Sequence, residues 1–278
     1  MSFCGVSFSI IIPCHNDCKK AESLSKTTIV KHAEKVFVGH NGCKNKVCLD
    51  WSNKAKTINY YAKQITSNYT IVLDADITPS PFSIMAFIKP MQEKRVFGCS
   101  RQIYQSKQNS ISSSRSVFNG ASWFCKTKVL QKIKVPEDCV TEDTLFVEKL
   151  KDKKITPLVI EDSVIFVEMY EKNYSKMFRQ RIRYDLGALQ MMKHKKFNYA
   201  TPVILQATLV TFLFATIIYS MTQNIFFALL LFLFIDLIAL IFKKHSDKEQ
   251  KLRIADTLFT LTAPLIAMAY FLLRKKTW

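Results

Sequence analysis

The chain has 278 residues, with 40 Lys and Arg against 22 Asp and Glu, a formal charge of +18, and is long enough for one sizeable soluble core plus an appendage. Its basic residues are dispersed and no nucleic-acid-binding motif accompanies them, so nucleic acid is not expected as a partner. Anionic lipid head groups and the phosphates of a substrate remain as the acids that such a surface attracts.

Phe8–Pro13 is an apolar run of strand length, too short for a signal peptide and without its basic flank, so the region that follows is expected to stay in the cytoplasm. The eight cysteines are then expected to be free thiols. Cys14, Cys18, Cys43 and Cys48, with His15 and His40, lack the paired two-residue spacing of a zinc site. Val36–Val38 and Thr70–Leu73 predict further strands, followed by Arg95–Cys99, Leu158–Ile160 and Val164–Val167. Between the second and third, Lys54–Ile65 reads as a helix with Ile58, Tyr61, Ala62 and Ile65 on one face. Alternation of strands and helices implies an α/β fold with a largely parallel sheet covered on both sides, and ligands then bind beyond the carboxyl ends of the strands. His15-Asn16-Asp17, His40-Asn41-Gly42 and Asp74-Ala75-Asp76 all fall at such ends. Gln102–Ser116, rich in Ser and Gln, is expected to be a loop, either a surface insertion or an active-site lid.

Glu171–Lys196 reads as a basic amphipathic helix, with Tyr174, Met177, Phe178, Ile182, Leu186 and Leu189 along one side, suited to lie at a membrane surface. Three apolar segments follow. Thr201–Ser220 carries no charge, Ile225–Phe242 carries only Asp236, and Ile254–Leu273 carries Asp256 and Pro264. The first two are expected to cross a bilayer and the third is a further candidate span. Lysines 193, 195 and 196 precede the first segment and Lys243, Lys244, Lys248, Lys251 and Arg253 follow the second, which places both ends of that hairpin on the cytoplasmic side. The expected organisation is a cytoplasmic domain over 1–170, an interfacial helix over 171–200 and a membrane domain over 201–278.

Asp74 and Asp76 stand one residue apart at the end of an apolar run, where a turn can bring both carboxylates onto one hard divalent ion that also bridges a diphosphate. The same pattern is common in ordinary turns. Thr141-Glu142-Asp143 offers a candidate base or, equally, an N-cap with two carboxylates in the first turn of a helix. Gln180-Arg181-Ile182-Arg183-Tyr184 offers guanidinium groups suited to phosphate, or the solvated face of a basic helix.

Taken in order, these segments resemble the family-2 glycosyltransferases over about residues 7–190. Ser9–Pro13 with His15-Asn16-Asp17 is similar to the family's opening strand and its Pro-x-Tyr-Asn-Glu end. Lys54-Ala55-Lys56-Thr57-Ile58-Asn59 is similar to its Lys-Ala-x-Ala-Leu-Asn segment, and Gln180-x-x-Arg183-Tyr184 to its Gln-x-x-Arg-Trp motif, with Tyr in place of Trp. The second strand ends in His40-Asn41, where the family commonly has an Asp that contacts the base, so the donor's identity is left open. The resemblance implies a GT-A-like nucleotide-sugar-binding domain and inverting transfer. It makes Asp143 the general base with Glu142 beside it, and Asp74 and Asp76 the ligands of a divalent Mg or Mn ion. Pro13, His15, Asn16, Asp17, His40, Asn41, Lys54, Asn59, Asp74, Gln180, Arg181, Arg183 and Tyr184 become the nucleotide-sugar contacts. The Gln-x-x-Arg-aromatic motif resembles ceramide glucosyltransferases and polysaccharide synthases. The expectation is therefore an integral membrane enzyme moving sugar from a nucleotide-sugar, expected to be a UDP-sugar, to a membrane lipid at the cytoplasmic face. A processive polysaccharide synthase, a polyprenyl-phosphate sugar synthase and a membrane-anchored pseudoenzyme scaffold are the alternatives.

Overall fold

The structure, a computed structural model, describes residues 4–15, 21, 24, 30–41, 54–75, 77–79, 83–105, 110–111, 120–168, 174–223 and 262–273. The chain forms two compact units, one of residues 1–138 with 142–169, the other of residues 139–141 with 170–278.

The first unit is built on one sheet. Its elements are β1 (Phe8–His15), β2 (Val36–Asn41), α1 (Lys54–Ala62), β3 (Tyr69–Leu73), β4 (Ile77–Pro79), α2 (Ile88–Gln92), β5 (Phe97–Gln105), β6 (Ser110–Ile111), β7 (Ser122–Lys126), α3 (Thr127–Ile133), α4 (Glu142–Asp152) and β8 (Leu158–Glu168). The strands lie in the order β2-β1-β3-β7-β5-β8-β4, with β6 on β5. Pairing is parallel from β2 through β1 to β3 and again between β5 and β8, the longest register in the sheet. β7 runs antiparallel to both β3 and β5.

Strand alternation explains why β1 and β3 are apolar at every central position. Ile10, Ile12, Ile71 and Leu73 pack into one core with Phe8, Ile84, Phe87 and Phe124. Ile11 and Val72, on the opposite face, pack with Ile58, Tyr61 and Ile65 from α1 and its end, and with Phe97, Trp123, Phe146 and Leu150. The predicted apolar face of α1 is thus the one that covers the sheet. Truncating a fully buried residue of this second core such as Phe146 to Ala is expected to cost about 3–5 kcal/mol.

Three local expectations change. The segment read as a loop from Gln102 is partly strand: β5 continues to Gln105 because Arg101–Gln105 pairs in parallel with Val164–Glu168, and Tyr104 and Gln105 pair with β6. Long-range backbone pairing here overrides a polar composition. The two strands expected at Leu158–Ile160 and Val164–Val167 are one strand, β8. Its register against β5 jumps from Ile160 to Val164, so Glu161-Asp162-Ser163 forms an irregular bulge. β7, which separates the two parallel stretches, and the short β4 were not predicted at all.

The second unit contains α5 (Tyr174–Gln190), a 3-10 turn at Met191–His194, α6 (Phe197–Gln223) and α7 (Thr262–Leu272). Ile182, Leu186 and Leu189, from the predicted apolar side of α5, are buried with Ala200, Val203, Ala263 and Ala267. α6 contains the first expected span, and its 27 residues reach about 40 Å, more than the ~30 Å hydrocarbon thickness of a bilayer. Among the described residues it is the one helix long and apolar enough to cross a membrane. Its outer positions leave Leu205, Leu209, Phe212, Phe214, Ile218 and Tyr219 exposed, Phe212 at 72%. The second expected span, 225–242, lies outside the described residues. Of the third, Thr262–Leu272 is helical, with Pro264 inside the helix.

Candidate active site

β3 is buried along its length and ends at Leu73, where the chain emerges as Asp74. The Asp74 amide donates to Ala121 O at 2.8 Å, which ties the strand end to the turn ahead of β7. α1 begins at Lys54, whose ammonium lies 2.6 Å from Asp74 Oδ1, donates to Gly120 O at 2.9 Å and stands 3.9 Å from Glu142 Oε1. A cation at a helix N-terminus opposes the helix dipole, so the helix gains nothing from Lys54 at this position. The three acceptors account for its placement. Burial alone would push the Lys54 ammonium toward deprotonation. The carboxylates of Asp74, Glu142 and Asp143 outweigh that and hold its pKa above the ordinary lysine range.

Glu142 and Asp143 open α4, and two carboxylates in a first turn are favoured by the helix dipole. A helix does start at Glu142-Asp143, which is compatible with a functional role, and the Thr141 hydroxyl meets Cys139 Sγ at 3.3 Å. Glu142 is buried. Asp143 Oδ1 accepts the Thr144 amide at 2.7 Å, and Asp143 lies against Gly120. Lys54, Asp74, Glu142 and Asp143 thus gather around one turn, three carboxylates to one ammonium.

That surplus of negative charge fits a divalent cation. Among the described residues no group of three or more His, Cys, Asp or Glu side chains forms a cage for one. A hard ion that relies on one or two carboxylates, with substrate phosphate and water filling its other positions, does not need such a cage. Asp76, the second carboxylate of the sequence motif, lies outside the described residues, as do Asn16 and Asp17. Pro13, His15, His40 and Asn41 are brought to one sheet edge. The parallel register of β1 and β2 sets Pro13 beside Gly39, Cys14 beside His40 and His15 beside Asn41, at the carboxyl ends of both strands.

Asn59 does not join this group. It is buried on α1, where its amide donates to Val135 O at 2.8 Å and to Glu137 Oε1 at 2.9 Å and accepts from the Val135 amide at 2.8 Å. Both ends of the side chain are spent on the loop after α3.

In the second unit, Gln180 Nε2 donates to Tyr184 OH at 2.9 Å, one turn along α5, and Arg183 reaches Val140 O at 3.4 Å. Arg181 faces Asp185, whose carboxyl is pushed up to about 6 by burial, with the guanidinium opposing the shift. Sequence reasoning missed how Cys139–Thr141 docks on this helix. The Val140 amide donates to Gln190 Oε1 at 2.8 Å, Cys139 Sγ contacts Gly187 O at 3.7 Å, and Thr141 packs directly on Gly187. It also missed Gly120, for which the only signal was a small residue just before a strand.

Residues 91–272 match the model of the glycosyl transferase family group 2, a stretch that includes Glu142, Asp143 and the Gln180–Tyr184 motif and begins after Lys54 and Asp74. Comparison with curated protein sequences finds no match. Among solved structures, the mannosyltransferase PcManGT from Pyrobaculum calidifontis, in complex with GDP-Man and Mn2+, is similar with a TM-score of 0.63 at 14% identity. The similarity covers 97% of this chain and 88% of that one. The glucosyl-3-phosphoglycerate synthase from Mycobacterium tuberculosis, in complex with Mn2+ and UDP-glucose, gives a TM-score of 0.48 at 11% identity over 68% of this chain and 79% of that one.

Proposed function

The chain belongs to the glycosyl transferase family group 2, and from that premise we propose that it is an inverting, membrane-bound transferase that moves a sugar from a nucleotide-sugar to a membrane lipid at the cytoplasmic face. The observation that carries this reading is the convergence of Asp74, Glu142 and Asp143 on Lys54 beside the carboxyl end of β3.

Asp74 and Asp76 are the proposed holders of a Mg or Mn ion, and bound there the ion would supply counter-charge to the departing diphosphate. The structural neighbour that holds GDP-Man and Mn2+ supports a nucleotide-sugar donor and a divalent cofactor. It also makes a guanosine donor a competitor of the UDP-sugar expected from sequence. Lys54, kept charged by its carboxylate neighbours, fixes the direction of the Asp74 carboxylate. Asp143 takes the proton of the acceptor hydroxyl as that oxygen attacks the anomeric carbon, and direct in-line attack inverts the centre. Pro13, His15, His40 and Asn41, at the ends of β1 and β2, are proposed donor contacts, as are Asn16 and Asp17. In the second unit the proposed contacts are Gln180, Arg181, Arg183 and Tyr184.

The lipid acceptor rests on α6. A helix of this length with its large apolar side chains exposed, entered from the basic Lys193–Lys196 segment, suits a bilayer with anionic head groups. The test uses the full chain in native membranes, supplied with labelled UDP-glucose or GDP-mannose and a divalent cation. Label in the lipid extract, abolished by excess chelator and by Asp76→Ala, is the expected result. Undiminished transfer in chelator overturns the metal assignment, and label only in water-soluble product overturns the lipid acceptor.

A further inference from the structure

Gly120 belongs to none of the sequence motifs, yet both halves of the carboxylate cluster rest on its turn. Its carbonyl accepts Lys54 Nζ at 2.9 Å, and the next carbonyl, Ala121 O, accepts the Asp74 amide at 2.8 Å. Its α-carbon faces Asp143. A Cβ added there would overlap Oδ2 of the Asp143 carboxyl and come within 2.6 Å of its Cγ and 2.7 Å of its Cβ, separations that real side chains do not adopt. Backbone freedom is not the reason for a glycine, because among the described residues Gly5 is the one glycine with positive φ. The constraint at position 120 is space.

The two oxygens of Asp143 are used differently. Oδ1 accepts the Thr144 amide at 2.7 Å, which ties down one set of lone pairs. Oδ2 is the oxygen that a side chain at position 120 would cover. We propose that Gly120 is a positioning residue for Asp143, its missing side chain leaving the room in which the carboxyl sits against the turn that Lys54 and Asp74 share. This rests on the reading of Asp143 as the base. A methyl group at 120 forces the carboxyl to rotate or α4 to withdraw, and either change moves Oδ2 away from the proton it must accept. Displacement of a reacting group by about 1 Å commonly costs about a hundredfold in rate, whereas donor binding does not depend on Oδ2.

The experiment compares the full chain in membranes with Gly120→Ala, Asp143→Asn and the double variant, reading kcat, donor affinity and melting temperature. Gly120→Ala is expected to lower kcat by about tenfold or more with donor affinity unchanged, and to cause no further loss in the Asp143→Asn background, because it acts through the carboxylate. An unchanged kcat in Gly120→Ala overturns the proposal, as does an equal loss in both backgrounds. Full turnover in Asp143→Asn overturns the base assignment itself, a distinct result. If Gly120→Ala melts early, pairing it with Asp143→Gly, which removes all three overlapped atoms, should return the melting temperature to that of Asp143→Gly alone. Persistent instability in that pair overturns the steric link.

Discussion

Lys54 Nζ lies 2.6 Å from Asp74 Oδ1 and 2.9 Å from Gly120 O, so one ammonium ties the end of β3 to the turn before β7. Both side chains are roughly a quarter exposed, at 22% and 26%, which admits ligand while reducing the screening that weakens a surface ion pair.

Lys54→Met should therefore act on stability and on activity together. It leaves Asp74, Glu142 and Asp143 facing one another without a counter-charge, and the partial exposure limits the loss to about 1–3 kcal/mol. Chemical denaturation reads the stability term, and transfer should fall to background. The Lys54 pKa is raised above its unfolded value, so the stabilisation is fully present below 10.5 and is lost only as pH rises through the higher folded value. The difference between wild type and variant should thus be flat from about pH 6 to pH 9. A Lys54→Met protein with full stability and normal turnover would show that the pair is incidental.

Asn59 gives the opposite pattern. Its amide satisfies both the Val135 N–H and the Val135 carbonyl, so Asn59→Leu leaves two buried backbone groups without that partner and should cost about 2–4 kcal/mol. Donor affinity should stay within about twofold of wild type, because the side chain is committed to the loop after α3. Loss of donor affinity at an unchanged melting temperature would return Asn59 to the donor site.

The contrast between these two residues shows what the sequence could reveal. Lys54 and Asn59 lie in the same motif-like segment, and only the fold separates the one that meets Asp74 from the one that pins a loop. The apolar runs of β1 and β3 were legible because strands buried on both faces need no alternation. Asp74 stood out only through its order with Glu142-Asp143 and Gln180–Tyr184, since a carboxylate after such a run is common in ordinary turns. β7 was not, since its Ser122-Trp123-Phe124-Cys125-Lys126 becomes a strand only by pairing with Leu73 and Cys99, distant in sequence. Gly120 was hidden for a related reason. The signal of a glycine is the atom it lacks, and Asp143, which needs that space, is far along the chain.

Asp185 sets a pH dependence in the second unit. Burial raises its carboxyl from 3.8 to about 6, with Arg181 opposing, so between those values the folded state keeps a proton that the unfolded state has released. Stability must then fall as pH rises through that window and remain lower above it. Asp185→Asn abolishes this titration. The variant should melt above wild type near pH 7 and level with it near pH 3.5, measured in the same detergent. A constant difference at both pH values would mean that the substitution acts through packing and not through the proton.

Gly187 sets a propensity argument against a steric one. It sits inside α5, where replacing Gly with Ala normally stabilises a helix by about 1 kcal/mol. Here a Cβ would overlap the Thr141 methyl and come within 2.5 Å of its hydroxyl oxygen and 3.0 Å of its Cβ, while Cys139 and Val140, just before Thr141, are held by Gly187 O and Gln190. Overpacking a fixed contact costs about 1–3 kcal/mol, enough to cancel or exceed the propensity gain, so Gly187→Ala should fail to stabilise and is expected to destabilise. Thr141→Gly removes all the overlapped atoms. In that background the same Gly187→Ala change should reverse sign and stabilise by the helix propensity alone. A double-mutant cycle on melting free energies measures the difference directly, and a coupling energy near zero would mean that Thr141 does not rest on α5 in solution.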